Sequence, residues 1–182
     1  GNTRNYGADV TLEHYMSRGF YGQVNGSLFK AEYRGLDKKW RNQMYDRGYM
    51  LKVLGGKEWM LGKRKQNVFN VSVKYTLQGG LRHTPIDVAA MKANVAAGII
   101  DDQPIYKEDE AMSLQFSPTS ILDLTVSYKI NCKKVSHTIA FEGVNILQHE
   151  TPYAERYDFG TGQLRLDKSG ISLPNVFYRI DF

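Results

Sequence analysis

The residues best equipped for chemistry lie in two short stretches of the 182-residue chain. YRGLDKKWR carries Tyr33, Arg34, Trp40 and Arg41, and GGLRH carries Arg82 and His83. A guanidinium presents a rigid fork of donors that matches carboxylate or phosphate, and aromatic rings beside it supply an apolar platform. The six residues together suit an anionic or sugar-like ligand. The competing reading, and the more economical one, is that the same Arg and Tyr side chains pair with neighbouring loops or with phosphates outside the chain. An acidic cluster, Asp101, Asp102, Glu108, Asp109 and Glu110, has the oxygen ligands that Ca²⁺ takes. A solvated acidic loop accounts for it more simply, and no metal site is assigned.

Catalysis has no comparable foothold. His14, His83, His137 and His149 sit at spacings that suggest neither a metal pair nor a general base, and no Ser/His/Asn or Asp/His constellation is present. No catalytic residue is assigned and the chain is not expected to be an enzyme. Cys132 is the single cysteine, which excludes an intrachain disulfide and a cysteine-based metal site, and no cofactor is expected. The net charge of +5 is not gathered into an aromatic-interleaved basic stripe, so a nucleic-acid partner is not expected.

The elements that must position these residues read with period two rather than 3.6. Seven segments alternate: 6–15, 20–29, 49–59, 68–77, 121–130, 136–145 and 173–182. In the clearest of them Phe69, Val71, Val73, Tyr75 and Leu77 share one side, and Asn70, Ser72, Lys74 and Thr76 the other. The terminal segment places Val176, Tyr178, Ile180 and Phe182 opposite Asn175, Arg179 and Asp181. A short helix is expected over about 88–97, and the YDFGTGQ turn suggests a small hairpin inside the last long connection. No stretch approaches the roughly 18 to 20 apolar residues of a membrane helix.

Connections alternate between short turns, near 16–19, 62–66 and 131–135, and long loops, near 31–47, 78–118 and 147–170. Short and long connections therefore lie at opposite rims of an all-β, antiparallel up-and-down sheet of about seven strands. Strands of about ten residues with that asymmetry match outer-membrane barrels, whereas soluble strands are commonly five or six residues. On the apolar side Lys57 is the one charged residue within a strand, close enough to a turn to snorkel. Phe20, Trp59, Phe69, Tyr128 and Phe182 fall near the short-turn rim, and Tyr49 and Tyr75 near the long-loop rim, the placement of two membrane-interface girdles. A soluble barrel or sandwich acting as a ligand-binding module is the alternative, since it also alternates.

In order along the chain, NYGADVTLE (5–13), YRGLDKKWRN (33–42), GGKEWMLG (55–62), GGLRHTPID (79–87), ILDLTVSYKIN (121–131), FEGVNIL (141–147) and PNVFYRIDF (174–182) resemble the C-terminal part of the β-barrel of TonB-dependent outer-membrane receptors. The resemblance runs along essentially all of residues 1–182. It implies an incomplete section of a 22-stranded transmembrane barrel, with the plug, the TonB box and the earlier strands outside these residues and both edge strands unpaired. It further implies nutrient import across the outer membrane of a Gram-negative bacterium, of a metal chelate, vitamin or glycan. The implied partners are outer-membrane lipid, lipopolysaccharide, TonB acting through the plug, and the barrel-assembly machinery, which would read the terminal strand ending in Phe182. In the competing reading of the loop Arg and Tyr side chains, the phosphates they pair with are those of lipopolysaccharide. Lys52, Lys74, Asp123, Lys129, Glu142 and Arg179 would then face the lumen as a charge ladder.

Overall fold

The computed structural model describes residues 1–99, 101 and 103–182. Seven long strands form one antiparallel sheet: β1 (Asn2–Ser17), β2 (Phe20–Arg34), β4 (Tyr49–Leu61), β5 (Asn67–Gln78), β8 (Thr119–Asn131), β9 (Ser136–Val144) and β12 (Leu173–Asp181). They pair in the order β1-β2-β4-β5-β8-β9-β12, each with the next long strand in the chain, and β1 and β12 do not pair with each other. Shorter elements lie in the long connections: β3 (Trp40–Asn42), which pairs with the end of β2, the ribbon of β6 (Arg82–His83) with β7 (Leu114–Gln115), the helix α1 (Val88–Ala96), and the hairpin of β10 (Thr151–Asp158) with β11 (Gln163–Ser169).

Register decides which residues share a face, because a slip of one residue would turn a whole strand over. The chain Leu12↔Val24↔Val53↔Tyr75↔Leu122 runs across five strands, and Trp59↔Phe69↔Tyr128↔Ile139↔Tyr178 across another five. All seven apolar sides are thus brought to one face, including that of β4, whose own alternation is the least clean. The opposite face carries the polar partners. Lys74 bridges to Asp123 at 2.8 Å, Lys129 lies 3.9 Å and Arg179 3.3 Å from Asp181, and Gln23 donates to Glu13 at 3.1 Å. The expected ladder is therefore in separate pieces: Glu142 is met by Asn175 at 3.5 Å, and Lys52 stands opposite Asn25 and Thr76.

Two strands are longer than their alternation suggests. β1 begins at Asn2 and β2 runs on to Arg34, because Asn2–Tyr6 and Lys30–Arg34 pair with each other, and β3 folds back to give Glu32–Arg34 a second partner. Arg4, Lys30, Glu32 and Arg34 consequently join Lys57 on the apolar side's parity, correcting the expectation of a single charge there. All four lie at the long-loop end, beyond the apolar band. Lys57 itself sits at the other end with its Nζ 4.1 Å over the Phe20 ring and 5.1 Å over that of Trp59, a cation–π arrangement.

The aromatic rows follow from the same register. Trp59 and Phe69 have ring centroids 5.6 Å apart, and Tyr128 is next in the row. Tyr178 extends it, with its Oη hydrogen-bonded to His137 Nδ1 at 2.7 Å. Near the other rim Ser120 Oγ donates to Tyr75 Oη at 3.0 Å, and Tyr49 stands opposite Leu28. Phe182 follows the end of β12 and is fully exposed.

The well-buried apolar cluster is in the loops, not on the sheet. Val88, Met91 and Val95, spaced i, i+3 and i+7 along α1, pack with Ile86, Ile105, Tyr157 and Phe159, and the two aromatic rings meet edge to face at 5.3 Å. Asp87 caps α1 by accepting from the Ala90 amide at 3.0 Å. By contrast the broad apolar face of the sheet is uncovered: Val73 and Phe141, in interior strands, are 40% and 44% exposed. Large contiguous exposed apolar patches mark interaction surfaces.

Candidate ligand-binding site

The three long connections all leave the same rim of the sheet, and they meet there. The 79–87 stretch does most of the joining, residue by residue. Gly79 and Gly80 allow backbones to touch, since a Cβ on the first would collide with the Arg47 carbonyl oxygen and on the second with that of Phe116. The Leu81 carbonyl accepts from the Phe116 amide at 3.0 Å, Thr84 Oγ1 accepts from the Met112 amide at 3.1 Å, and the Pro85 carbonyl accepts from Lys107 at 3.0 Å. His83 stacks on Phe116 with ring centroids 3.9 Å apart and planes within 6°.

The first loop is locked on by a buried acid. Asp46, with no exposed surface, accepts from Lys30 Nζ at 2.9 Å and from the Ala31 amide at 2.8 Å. Arg82 reaches the same residue, its Nε donating to the Asp46 carbonyl at 3.2 Å and a terminal nitrogen lying 3.6 Å from the carboxylate. Asn42 Nδ2 donates to the Met112 carbonyl at 3.1 Å, tying the first loop to the second a further time.

A cavity of about 350 Å³ opens between these loops. Its wall includes Met44 of the first, His83, Tyr106, Met112 and Phe116 of the second, and Tyr153 and Glu155 of the β10–β11 hairpin. The lining is mostly apolar, with a few convergent polar groups, the usual make-up of a small-molecule site. His83 Nε2 stands 4.0 Å from Glu155 Oε2. Burial pushes the His83 imidazole below its ordinary pKa, and the nearby Glu155 carboxylate opposes that shift.

The six residues expected to bind ligand are thus divided. Arg82 and His83 line the cavity, although Arg82 is already engaged by Asp46. Tyr33 and Arg41 are register partners, as are Arg34 and Trp40, and period two sets the pairs on opposite sides of the β2–β3 ribbon. Arg4 and Arg34 flank the Trp40 ring at 4.2 and 5.1 Å. Arg41 closes a two-pronged contact with Asp37 at 3.0 and 2.6 Å, which lowers the Asp37 pKa to about 2 and raises that of Arg41.

Sequence reading missed Glu155 and Tyr153. Both come from the last loop, and only the hairpin's placement brings them to the cavity. A signal was available in the expected hairpin around YDFGTGQ, whose alternation would have assigned its residues to faces. Among the described residues no three His, Cys, Asp or Glu side chains gather as a metal site. Asp101 accepts from the Gln103 amide at 3.0 Å and Glu110 meets Lys107 at 3.5 Å, while Asp102 lies outside the described residues. His14 and His137 fall on the apolar face toward the short-turn rim. No helix is long and apolar enough to cross a membrane, a statement that does not bear on strands. Compared with protein-family models, curated proteins and solved structures, the chain matches none.

Proposed function

We propose that the chain is the C-terminal wall and loop section of a TonB-dependent receptor barrel in a Gram-negative outer membrane, and that it takes part in importing a scarce nutrient. The observation that carries this reading is the uncovered apolar face, continuous across seven strands and free of charge except at its two ends. A sandwich would bury that face beneath a second sheet, whereas lipid covers it without one. The aromatic rows near each rim have the placement of interfacial girdles. Long loops gathered at one rim around a cavity suit capture of a small molecule from outside, and the polar face with its ion pairs suits a hydrated lumen.

The partners follow from the same reading. Lipid meets Val24, Val73 and Phe141. Lipopolysaccharide phosphates would meet the outer end of β2, where Arg4 and Arg34 bracket Trp40. TonB would act through a plug supplied elsewhere in the receptor, and the assembly machinery through the terminal strand. The test is fractionation of the protein made from its natural gene. Recovery with outer membranes, and a mobility shift between heated and unheated gel samples, are expected; recovery in the soluble fraction would overturn the reading in favour of a soluble ligand-binding module.

A further inference from the structure

The pairing of each charged group around the loop cavity limits what it can hold. Arg82 is turned to Asp46, and Arg41, in the first loop and outside the cavity lining, is held by both oxygens of Asp37. The arginines that would welcome an anion are therefore spoken for. The acids are not. Glu155 Oε2 is buried and, among the described residues, accepts no hydrogen bond, and His83 Nδ1 is buried and equally without a partner. The 4.0 Å from His83 Nε2 to Glu155 is too long for a hydrogen bond. Burial favours the neutral imidazole, which weakens the ring as a counter-charge for Glu155. Glu108 adds a second carboxylate to the lining, where Arg82 is the sole guanidinium.

A desolvated carboxylate oxygen with no donor is costly, and the cost is relieved when a ligand brings one. Around Glu155 the walls are Met44, Met112, Phe116, Tyr106 and Tyr153. Thioether and aromatic surfaces of this kind hold an apolar ring, and aromatic faces attract a cation. We propose that this cavity binds a small organic cation, an amine attached to an apolar ring, with its ammonium group donating to Glu155. The inference rests on the reading of the loop cavity as a ligand site, and it makes that site selective against anions.

Three probes of nearly equal shape and different charge test it: 2-phenylethylammonium, 2-phenylethanol and phenylacetate, titrated against the purified full-length protein in detergent by equilibrium dialysis. The alcohol can donate to the same oxygen but carries no charge, and the ammonium–carboxylate ion pair gives the ammonium ion an advantage of about tenfold or more over it. Phenylacetate is expected to be the weakest. Glu155→Gln should abolish the preference for the ammonium ion over the alcohol, with a much smaller loss for the alcohol, whose hydroxyl can still donate to the amide oxygen. Glu155→Asp, which keeps the charge, should retain the preference and covers the case in which the amide variant does not fold. Equal binding of all three probes, tighter binding of phenylacetate, an undiminished preference in Glu155→Gln, or no binding of any probe would each overturn the proposal. A protein that inserts into outer membranes yet shows no preference for the cation refutes this inference alone. One that prefers the cation but stays soluble refutes the uptake reading alone.

Discussion

Val73 and Ser72 are consecutive residues on opposite faces of an interior strand, and arginine at each separates lipid from water. Val73 stands opposite Gly55 and Leu124, and Ser72 opposite Gly56 and Thr125. Val73 is 40% exposed, whereas Ser72 is half-buried. In water, Val73→Arg would place its charge in solvent at small cost, and Ser72→Arg would be the more damaging because it must find room among Tyr21, Lys74 and the neighbouring strands. In a bilayer the order reverses. An arginine near the midplane on a lipid face costs about 2 to 4 kcal/mol, whereas lumen positions are tolerant. That corresponds to a factor of roughly 30 to 1,000 in the folding equilibrium, enough to abolish assembly of a marginally stable wall. The assay is the heat-modifiable mobility of each variant recovered from outer membranes, with urea extraction to separate inserted from aggregated protein. Val73→Arg is expected to be lost and Ser72→Arg retained. Retention of Val73→Arg together with loss of Ser72→Arg would refute the lipid assignment, since it is the order that water dictates.

Other perturbations address the loops. Asp46→Ala removes the acceptor shared by Lys30 and the Ala31 amide and leaves Arg82 beside an emptied buried position. Breaking a buried pair in this way costs about 3 to 5 kcal/mol, and limited proteolysis should then cut within 35–48 and 79–118 while the sheet stays intact. Gly79→Ala drives a methyl group into the Arg47 carbonyl; faster amide hydrogen exchange at Leu81 to Asp87, with little change in the wall strands, is expected. The Asp37 carboxyl, held to a pKa of about 2 chiefly by its hydrogen bonds from Arg41, should titrate by NMR near that value and return toward 3.8 in Arg41→Ala. Because the folded pKa is the lower one, the stabilisation of this turn is full above the ordinary carboxylate pKa. It is lost as pH falls through about 2.

Much of the wall was legible in the chain alone. Alternation in 68–77 or 121–130 is a property of consecutive residues: with side chains on opposite faces, Val-Ser-Val-Lys-Tyr can bury or expose only alternate members. The helix was legible only as a short stretch over about 88–97, since the alanines of VAAMKANVA spread small apolar groups all round it, and the turn in YDFGTGQ was legible from glycines that permit the reversal. Less legible was the far end of β2. Lys30 to Arg34 reads as polar loop, and it becomes strand because Asn2 to Tyr6 of β1 pair along its whole length and β3 returns to pair Glu32 to Arg34 on the other side, contacts that local preference does not encode.

The site divides along the same line. Residue types alone marked Tyr33, Arg34, Trp40, Arg41, Arg82 and His83 as able to recognise a ligand, because planar donors and aromatic rings have those capacities wherever they lie. Which of them remain available was decided by tertiary contacts: Asp37 takes Arg41, Asp46 takes Arg82, and strand parity turns Tyr33 away from Trp40. Glu155, one more residue of a polar loop in the sequence, becomes a buried acceptor only because the hairpin of the last loop lies beside His83, some seventy residues earlier in the chain. Periodicity determined the two faces of the wall. Long-range packing determined the charge of the cavity above it, since whether an ionic group is paired or desolvated depends on neighbours distant in the chain.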